Sequence, residues 1–419
     1  MLLLKQIKNE KRSNGWLCAE LCIVFMVLWY VVDWMYVTAR TYYEPMGLDI
    51  TDTYFLEMGV KDSKSQSYIP KNQLAVSYGE GVLEFVNRLR RLPEVEAVSL
   101  SYFSRPYIWA NSASDVRVGS LDRCILKRQV TPDFFRVFRY ESADGGGYEP
   151  LMRALEADQV VVSENILSSE EEKKMSLQGQ NLVEWADTTH AKRIGALAKK
   201  VRYSDYYPIF RDMFMAVRLD EKKVLAEDTD AWLGTMEVCV RVKPGTGADF
   251  PERLMKLSGS QLAVGNLFIV KVHDYEQIRD DFQRPYSNKV QMHVWMMVFL
   301  LMNIFLGIIG TFWFRTQHRR SELALHLVLG ATRRQLWGRL HQEGLWLLTL
   351  SALPAWVVCY LMGEMDLVVS SFTVEWSWLR FLITLVITYL LMALMIAFGI
   401  SFPARQAMRI QPAQALREE

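Results

Sequence analysis

Four long runs of mostly apolar residues divide the sequence, at about 16–37, 290–314, 345–362 and 381–402. Because about 20 apolar residues are enough to cross the hydrocarbon of a bilayer, each run predicts a transmembrane helix. A basic, partly amphipathic lead-in (residues 1–15) precedes the first run, and no small-residue cleavage site follows it. We therefore interpret this run as an uncleaved first span and not as a signal peptide.

The first run also carries two carboxylates and a group of aromatic residues. Glu20 and Asp33 fall near its ends, so we expect both at the membrane interface; a functional carboxylate within the membrane is the alternative. The aromatic residues toward its outer end predict an interfacial belt. They are Trp29, Tyr30, Trp34 and Tyr36.

Residues 38–289 contain no run that is apolar enough to span a membrane, so we expect these residues to fold as a soluble body. Their patterning mixes strands and helices, which indicates an α+β domain. The predicted strands are 54–60, 95–100, 116–118, 160–162, 237–242 and 267–272, and the predicted helices are 81–92, 251–257 and one that runs from Tyr275 into the second span. The predicted fold class is an α-helical membrane protein with four transmembrane helices and a large α+β domain inserted between helices 1 and 2.

The loop between the second and third runs, residues 315–344, is strongly basic and is called the elbow below. It contains six arginines and only two acidic residues, Glu322 and Glu343. Short loops rich in Lys and Arg remain on the cytoplasmic side, which predicts that the domain lies outside and both termini lie inside. The arginines are Arg315, Arg319, Arg320, Arg333, Arg334 and Arg339.

The rest of the topology follows from the same rule. The loop 363–378 is acidic and has no Lys or Arg, so it belongs outside, whereas the tail 403–419 is basic and belongs inside. The predicted domains are therefore a lead-in with the first helix (1–37), the extracytoplasmic domain (38–289) and a C-terminal membrane domain (290–419).

Two short helices are predicted within the elbow. Ser321 can cap the first, whose Leu325 and Leu329 have helical spacing, and Gly330 is placed to end it. Thr332 and Gln335 form a capping-box pattern that begins the second helix, which continues into the third span.

Little else in the sequence points to chemistry of its own. The net charge of +1 gives no indication of a nucleic-acid partner. Cys124 and Cys239 lie in the domain and form either one disulfide or two free thiols. The sequence has no Gly-Lys dipeptide and hence no Walker A loop. We predict no catalytic residues, no metal site and no cofactor.

The elbow and the tail together resemble the FtsX-like/MacB-like permease family of ABC transporters, the type VII or mechanotransmission class. The elbow residues that carry the resemblance are Arg319, Arg320, Glu322, Leu323, Ala324, Leu325, Leu329, Gly330, Ala331, Thr332, Arg333, Arg334, Gln335 and Leu336. Those in the tail are Pro403, Ala404, Arg405, Ala407, Arg409, Ile410, Pro412, Ala415, Leu416, Arg417 and Glu419. Leu327 and Val328 depart from the pattern, because relatives often carry a basic and then a small residue there.

The resemblance implies a function and a set of partners. It implies a permease subunit of the bacterial cytoplasmic (inner) membrane, which couples ATP hydrolysis by a separate cytoplasmic ATPase to movement of a MacB-like periplasmic domain. The chain itself is then not an enzyme, and ATP is bound by the partner. A second copy or a paralogous permease, membrane lipids, and a periplasmic adaptor or outer-membrane component are the other implied partners.

The predicted ATPase-coupling site is the elbow. Its residues are Arg319, Arg320, Glu322, Leu325, Leu329, Gly330, Ala331, Thr332, Arg333, Arg334 and Gln335. Anionic lipid headgroups are an alternative partner for Arg333 and Arg334, and burial against the spans is an alternative role for the two leucines.

Two other classes of function are weighed against a permease for export, efflux, or lipoprotein or peptide handling. One is a transmembrane signalling or regulatory protein that controls an extracytoplasmic partner such as a cell-wall hydrolase. The other is a membrane-bound enzyme. A receptor favours a cytoplasmic output domain and an enzyme favours a polar constellation outside, and neither pattern stands out.

Overall fold

The computed structural model describes residues 11–169, 171–206, 213–226, 233–318, 325, 329–365, 367, 374 and 376–407. The chain divides into two compact units. One is Tyr43–Tyr286, called the domain. The other comprises Met1–Tyr42 and Ser287–Glu419 and is called the membrane unit.

Among the described residues, ten strands form one mixed sheet in the domain, in the order β10-β1-β9-β2-β4-β3-β6-β7-β5-β8. An additional parallel pairing of β8 with β4 closes the last six strands into a ring. The strands are β1 (Thr53–Val60), β2 (Val95–Tyr102), β3 (Ala113–Val118), β4 (Leu121–Val130), β5 (Val160–Ser163), β6 (Asn181–Glu184), β7 (Asp187–Ala198), β8 (Phe214–Arg218), β9 (Met236–Val242) and β10 (Leu267–Asp274). All six predicted strands are present.

Strand β9 is central to the open part of the sheet. It pairs with β1 on one side and β2 on the other, and each of its seven residues is buried. The sequence alternates apolar and polar residues here, which is typical of a strand with one wet face. Because both faces of β9 are covered instead, its polar residues Glu237 and Arg241 are buried in the domain.

The helices of the domain pack their apolar faces on this sheet. The predicted helix at 81–92 is α2, and its capping box is formed by Ser77 and Glu80, so it begins at Tyr78. Phe85 and Leu89 of α2 are fully buried with the aliphatic residues of β1, β2 and β9. The helices are α2 (Tyr78–Arg90), α3 (Asp133–Val137), α4 (Glu149–Glu156), α5 (Glu221–Ala226) and α6 (Phe250–Ser258).

In the membrane unit, four of the described helices are long and apolar enough to cross a membrane. They are α1 (Lys11–Tyr42), α7 (Tyr275–His318), α8 (Arg333–Glu364) and α9 (Trp378–Ala407). Their core is apolar, with Phe25 and Leu28 of α1 packed among Leu348 and Ala352 of α8 and Met392 of α9. The predicted fold class, four spans with an α+β domain between the first and second, is confirmed.

Two details of the predicted spans are wrong. The fourth span begins at Trp378 and not at Phe381, so it includes Arg380, which the prediction left outside. Trp29 does not lie in an aromatic belt, because its side chain is fully buried and its Nε1 donates to Thr384 Oγ1 at 3.0 Å.

Candidate functional site

The elbow lies between the end of α7 at His318 and the start of α8 at Arg333. Its described residues are those up to His318, Leu325 and everything from Leu329 onward. Arg319, Arg320 and Glu322 of the predicted site, together with the predicted cap Ser321, lie outside the described residues. Leu325, Leu329 and residues 330–335 are among the described residues.

Gly330 and Thr332 shape the chain where it enters α8. Gly330 has φ +94°, a left-handed conformation that favours glycine. Thr332 Oγ1 then accepts a hydrogen bond from Gln335 N at 3.3 Å, while Gln335 Oε1 accepts one from Thr332 N at 2.9 Å. This reciprocal capping box was predicted from the sequence, and it fixes Arg333 as the first residue of the helix.

The described elbow exposes both apolar and cationic side chains. Leu325 is 49% exposed and Leu329 is 73% exposed. Thr332, Arg333, Arg334 and Gln335 are also exposed, and Ala331 is half-buried. The first turn of α8 carries no acidic residue, so the two arginines oppose the helix dipole, which is unfavourable by some tenths of a kcal/mol.

Other residues in the first turns of α8 are buried or contact α9. Leu336 is only 3% exposed. One turn further on, His341 Nε2 lies 3.1 Å from Ala397 O and 3.2 Å from Ser401 Oγ of α9, and its ring packs at 3.8 Å from that of Trp337. The first turn of α8 is therefore exposed at Arg333 and Arg334, while His341 of the same helix contacts α9.

A buried ion pair joins α1 to α9, and the sequence interpretation missed it. Arg380 Nε donates to Asp33 Oδ1 at 2.9 Å and Arg380 Nη2 donates to Asp33 Oδ2, a bidentate arrangement. The Asp33 side chain is 0% exposed and that of Arg380 is 3% exposed. Asp33 therefore faces a neighbouring helix, and its predicted position near the membrane interface stays a prediction. The available signal was a carboxylate within the first apolar run and an arginine directly before the fourth.

The ion pair has further partners in the same unit. Arg380 Nη1 donates to Val374 O at 3.1 Å, and the guanidinium lies 5.4 Å from the ring centre of Trp376. Glu20, the other carboxylate of α1, accepts a hydrogen bond from Thr311 Oγ1 of α7 at 3.2 Å. Both carboxylates of the first helix thus contact other helices.

The titratable groups of the domain serve its structure. Cys124 and Cys239 are both free thiols, so the alternative of a disulfide is wrong, and burial raises the pKa of Cys239. Hydrogen bonds from Thr189 and His190 lower the pKa of exposed Asp187 to about 2. Across the described residues, no three His, Cys, Asp or Glu side chains come together as a metal site would require.

Comparison with protein families matches residues 294–412 to the C-terminal domain of FtsX-like permeases. A comparison with curated proteins finds no match.

Three solved structures are similar to parts of this chain. The periplasmic region of MacB from Actinobacillus actinomycetemcomitans is 12% identical, with a TM-score of 0.33 over 58% of this chain and 97% of that one. A domain of a putative permease protein from Porphyromonas gingivalis is 14% identical, with a TM-score of 0.34 over 54% and 88%. The extracellular domain of the noncanonic ABC-type transporter YknZ from Gram-positive bacteria is 12% identical, with a TM-score of 0.30 over 52% and 100%.

The family match covers part of the second span, the elbow, the last two spans and the tail as far as residue 412. It includes the elbow residues on which the resemblance was based, and those of the tail up to Pro412. The C-terminal part of the chain, residues 294–412, therefore belongs to the FtsX-like permease family, and the four long apolar helices are those of a membrane protein.

Proposed function

We propose that the elbow is the docking surface for a separate cytoplasmic ATPase subunit, whose movement it passes to the domain on the other side of the membrane. The observation that carries the proposal is the two-sided start of α8. Leu329, Arg333 and Arg334 are exposed there, while Leu336 is buried and His341, further along the same helix, contacts Ala397 and Ser401 of α9. A surface with these properties can receive a partner and transmit its displacement.

The exposed residues define the chemistry of the partner. Burying a leucine side chain contributes about 1.5–3 kcal/mol, so Leu325 and Leu329 favour an apolar depression on the ATPase. Acidic residues beside that depression would pair with Arg333 and Arg334 and offset their unfavourable position at the helix N-terminus.

Helix α7 offers a route from the elbow to the domain. It is continuous from Tyr275 to His318. Tyr275 and Phe282 are buried in the core of the domain, whereas Met297 and Ile308 are buried in the membrane unit. A displacement at the His318 end can therefore travel along one helix to residues that are packed into the domain.

The membrane topology supports an outward-facing domain. An elbow with six arginines belongs in the cytoplasm, and the domain and the elbow are separated by a single span. Both termini are then cytoplasmic. We further propose that the complex contains two permease subunits over two ATPase subunits. The moving domains would act on an exported compound, a peptide or a lipoprotein, with an adaptor or outer-membrane component as a further partner.

The test is recovery of an ATPase with the tagged full-length chain from native membranes. We expect the wild-type chain to recover a protein with a Walker A motif, identified by mass spectrometry. Reversing the charge of both cations, Arg333→Glu with Arg334→Glu, should lower the recovery about tenfold, because each pair of opposite charges becomes a repulsion.

Lys271→Glu is the matched control, since Lys271 is also an exposed cation but lies on β10 of the domain. It should leave ATPase recovery unchanged. Equal recovery with the elbow variant and with wild type, at equal levels of membrane-inserted protein, would refute the proposed docking surface.

A further inference from the structure

Helix α7 is the least covered of the four spans. Only 11% of its most apolar stretch is buried, compared with 33% to 39% in the other three. One side of it packs on the membrane unit, where Met297 and Ile308 are each 3% exposed. A neighbouring side is open along the whole span.

The open side has a regular spacing. Its residues recur at intervals of four and three, which is the a/d spacing of a heptad repeat. They are Met292, Met296, Phe299, Asn303, Leu306 and Gly310, and this set is called the seam. The four apolar side chains are 59% to 69% exposed, so the seam is uncovered by the described part of this chain.

Asn303 is the one strongly polar side chain of the seam, and it lies near the middle of the predicted span 290–314. It is exposed, and its Nδ2 donates to Phe299 O of its own helix at 2.7 Å. Within the described residues, its Oδ1 and its second amide hydrogen have no partner. Leaving such groups in hydrocarbon is unfavourable. A polar group from another molecule would therefore stabilise Asn303.

We propose that the seam pairs with the seam of a second copy of this chain, as a parallel two-helix contact with Asn303 against Asn303. A carboxamide carries both a donor and an acceptor, so it is complementary to itself across a two-fold axis. Two copies inserted in the same direction are necessarily parallel. A single Asn at an a position is the feature that selects a parallel, in-register helix pair.

The backbone geometry allows a close approach. A methyl group added at Gly307 or Gly310 would meet no atom within 4 Å, so the surface beside Asn303 is open to a second helix. Small residues permit close helix contacts in membranes, and hydrogen-bonding side chains stabilise them. Lipid tails provide no hydrogen-bond partner for the amide, which favours the second copy as the occupant.

The seam deepens the proposed function, because it specifies how the two permease subunits of the complex meet. The test uses the full-length chain in native membranes with its five cysteines replaced by serine. Single cysteines are then introduced by Leu306→Cys in the seam and by Met302→Cys as the control. Both native side chains are 59% exposed, but Met302 points about 100° away from Asn303 around the helix.

We expect Leu306→Cys to form disulfide-linked homodimers at least about tenfold faster than Met302→Cys. Equal rates, a faster control, or a product whose mass shows another chain as the partner would each refute pairing of the seam with a second copy. A chain that remains monomeric on oxidation would show that lipid covers this face, and would overturn it as well.

A second measurement tests Asn303 itself, by energy transfer between labelled copies in detergent. Asn303→Leu should weaken dimerisation about 3- to 10-fold, whereas Met302→Leu should not change it. Unchanged dimerisation of Asn303→Leu would overturn the role of the amide. ATPase recovery from the same preparations separates the two proposals, because a seam that cross-links without ATPase recovery refutes only the docking surface. ATPase recovery without seam cross-linking refutes only the seam.

Discussion

Two arginine–aspartate pairs, one in each unit, use the same atoms but differ in their surroundings. In the domain, Arg117 Nε and Nη2 donate to Asp122 Oδ1 and Oδ2 at 2.8 and 3.3 Å. In the membrane unit, Arg380 Nε and Nη2 donate to Asp33 Oδ1 and Oδ2. The side chains of the first pair are 54% and 50% exposed, and those of the second are 3% and 0% exposed.

The difference shows that burial, and not geometry, decides what an ion pair does. Water competes for both charges of an exposed pair and screens them from each other, so such pairs contribute little. In the membrane unit neither charge can return to water when its partner is lost. Either charge of the Asp33–Arg380 pair is therefore destabilising when its partner is removed.

The domain also buries charged groups, and backbone groups supply many of their hydrogen bonds. Glu237 Oε2 accepts bonds from Ser104 N, Arg105 N and Ser101 Oγ, all at 2.8 Å. Arg241 donates from Nε to Val137 O and from Nη2 to Asp49 O, both at 2.6 Å. Two backbone groups thus contact each of these charges. For the side chains of the membrane pair, the described residues show one backbone contact, from Arg380 Nη1 to Val374 O.

The largest effect is expected when one member of the membrane pair is removed. Asp33→Leu leaves the Arg380 guanidinium buried without a counter-charge, which should lower the free energy of unfolding by about 3–5 kcal/mol. Thermal unfolding of the full-length chain in detergent measures it.

The double variant Asp33→Leu with Arg380→Met is the control for this effect. It removes both charges, so most of the lost stability should return. If the double variant is as unstable as the sum of the single variants, the two residues do not act as a pair.

The spans and the start of α8 could be predicted because their causes are local. Hydropathy along the chain determines which helices can cross a bilayer. The Thr332–Gln335 capping box needs residues only three positions apart. The Asp33–Arg380 pair joins residues 347 positions apart in sequence, and no local pattern encodes which helices are neighbours.

The domain shows the same division between local and distant causes. The aliphatic run at 160–162 and the alternation at 237–242 predicted β5 and β9 correctly. The parallel contact of β8 with β4 that closes the ring depends on pairing between distant strands. The full burial of Glu237 also has a distant cause, because β1 and β2 lie on both sides of β9.

An intermediate effect is expected at Glu237, and it should depend on pH. Burial raises the pKa of Glu237, although hydrogen bonds from Ser104 and the charge of Arg105 act against that rise. The folded state then binds the proton more tightly than the unfolded state. The stability contributed by this group is present below the usual glutamate pKa of about 4.3 and is lost as the pH rises through the folded-state value.

Glu237→Gln keeps an acceptor but cannot ionise. Near pH 4 it should lower the free energy of unfolding by about 0.5–1.5 kcal/mol, and this deficit should shrink as the pH rises. Unfolding of both chains across a pH series measures the difference. A deficit that grows with pH would mean that Arg105, 3.6 Å from Glu237 Oε1, stabilises the charged form more than burial disfavours it.

The smallest effect is expected at the exposed Arg117–Asp122 pair in the domain. This pair has the same bidentate geometry as Asp33 and Arg380, so it isolates the effect of burial. Asp122→Asn removes the charge that Arg117 contacts, but the guanidinium is half exposed and water can solvate it at once. It also lies 5.1 Å from the ring centre of Trp185, which can continue to hold it. The midpoint of thermal unfolding should therefore not change measurably, and any small shift at low salt should vanish in 1 M salt, where the screening length falls to about 3 Å.

Arg117→Lys, which keeps the charge and loses the fork geometry, should behave in the same way. A loss comparable to that of Asp33→Leu would mean that the shared bidentate geometry, and not burial, sets the strength of both pairs.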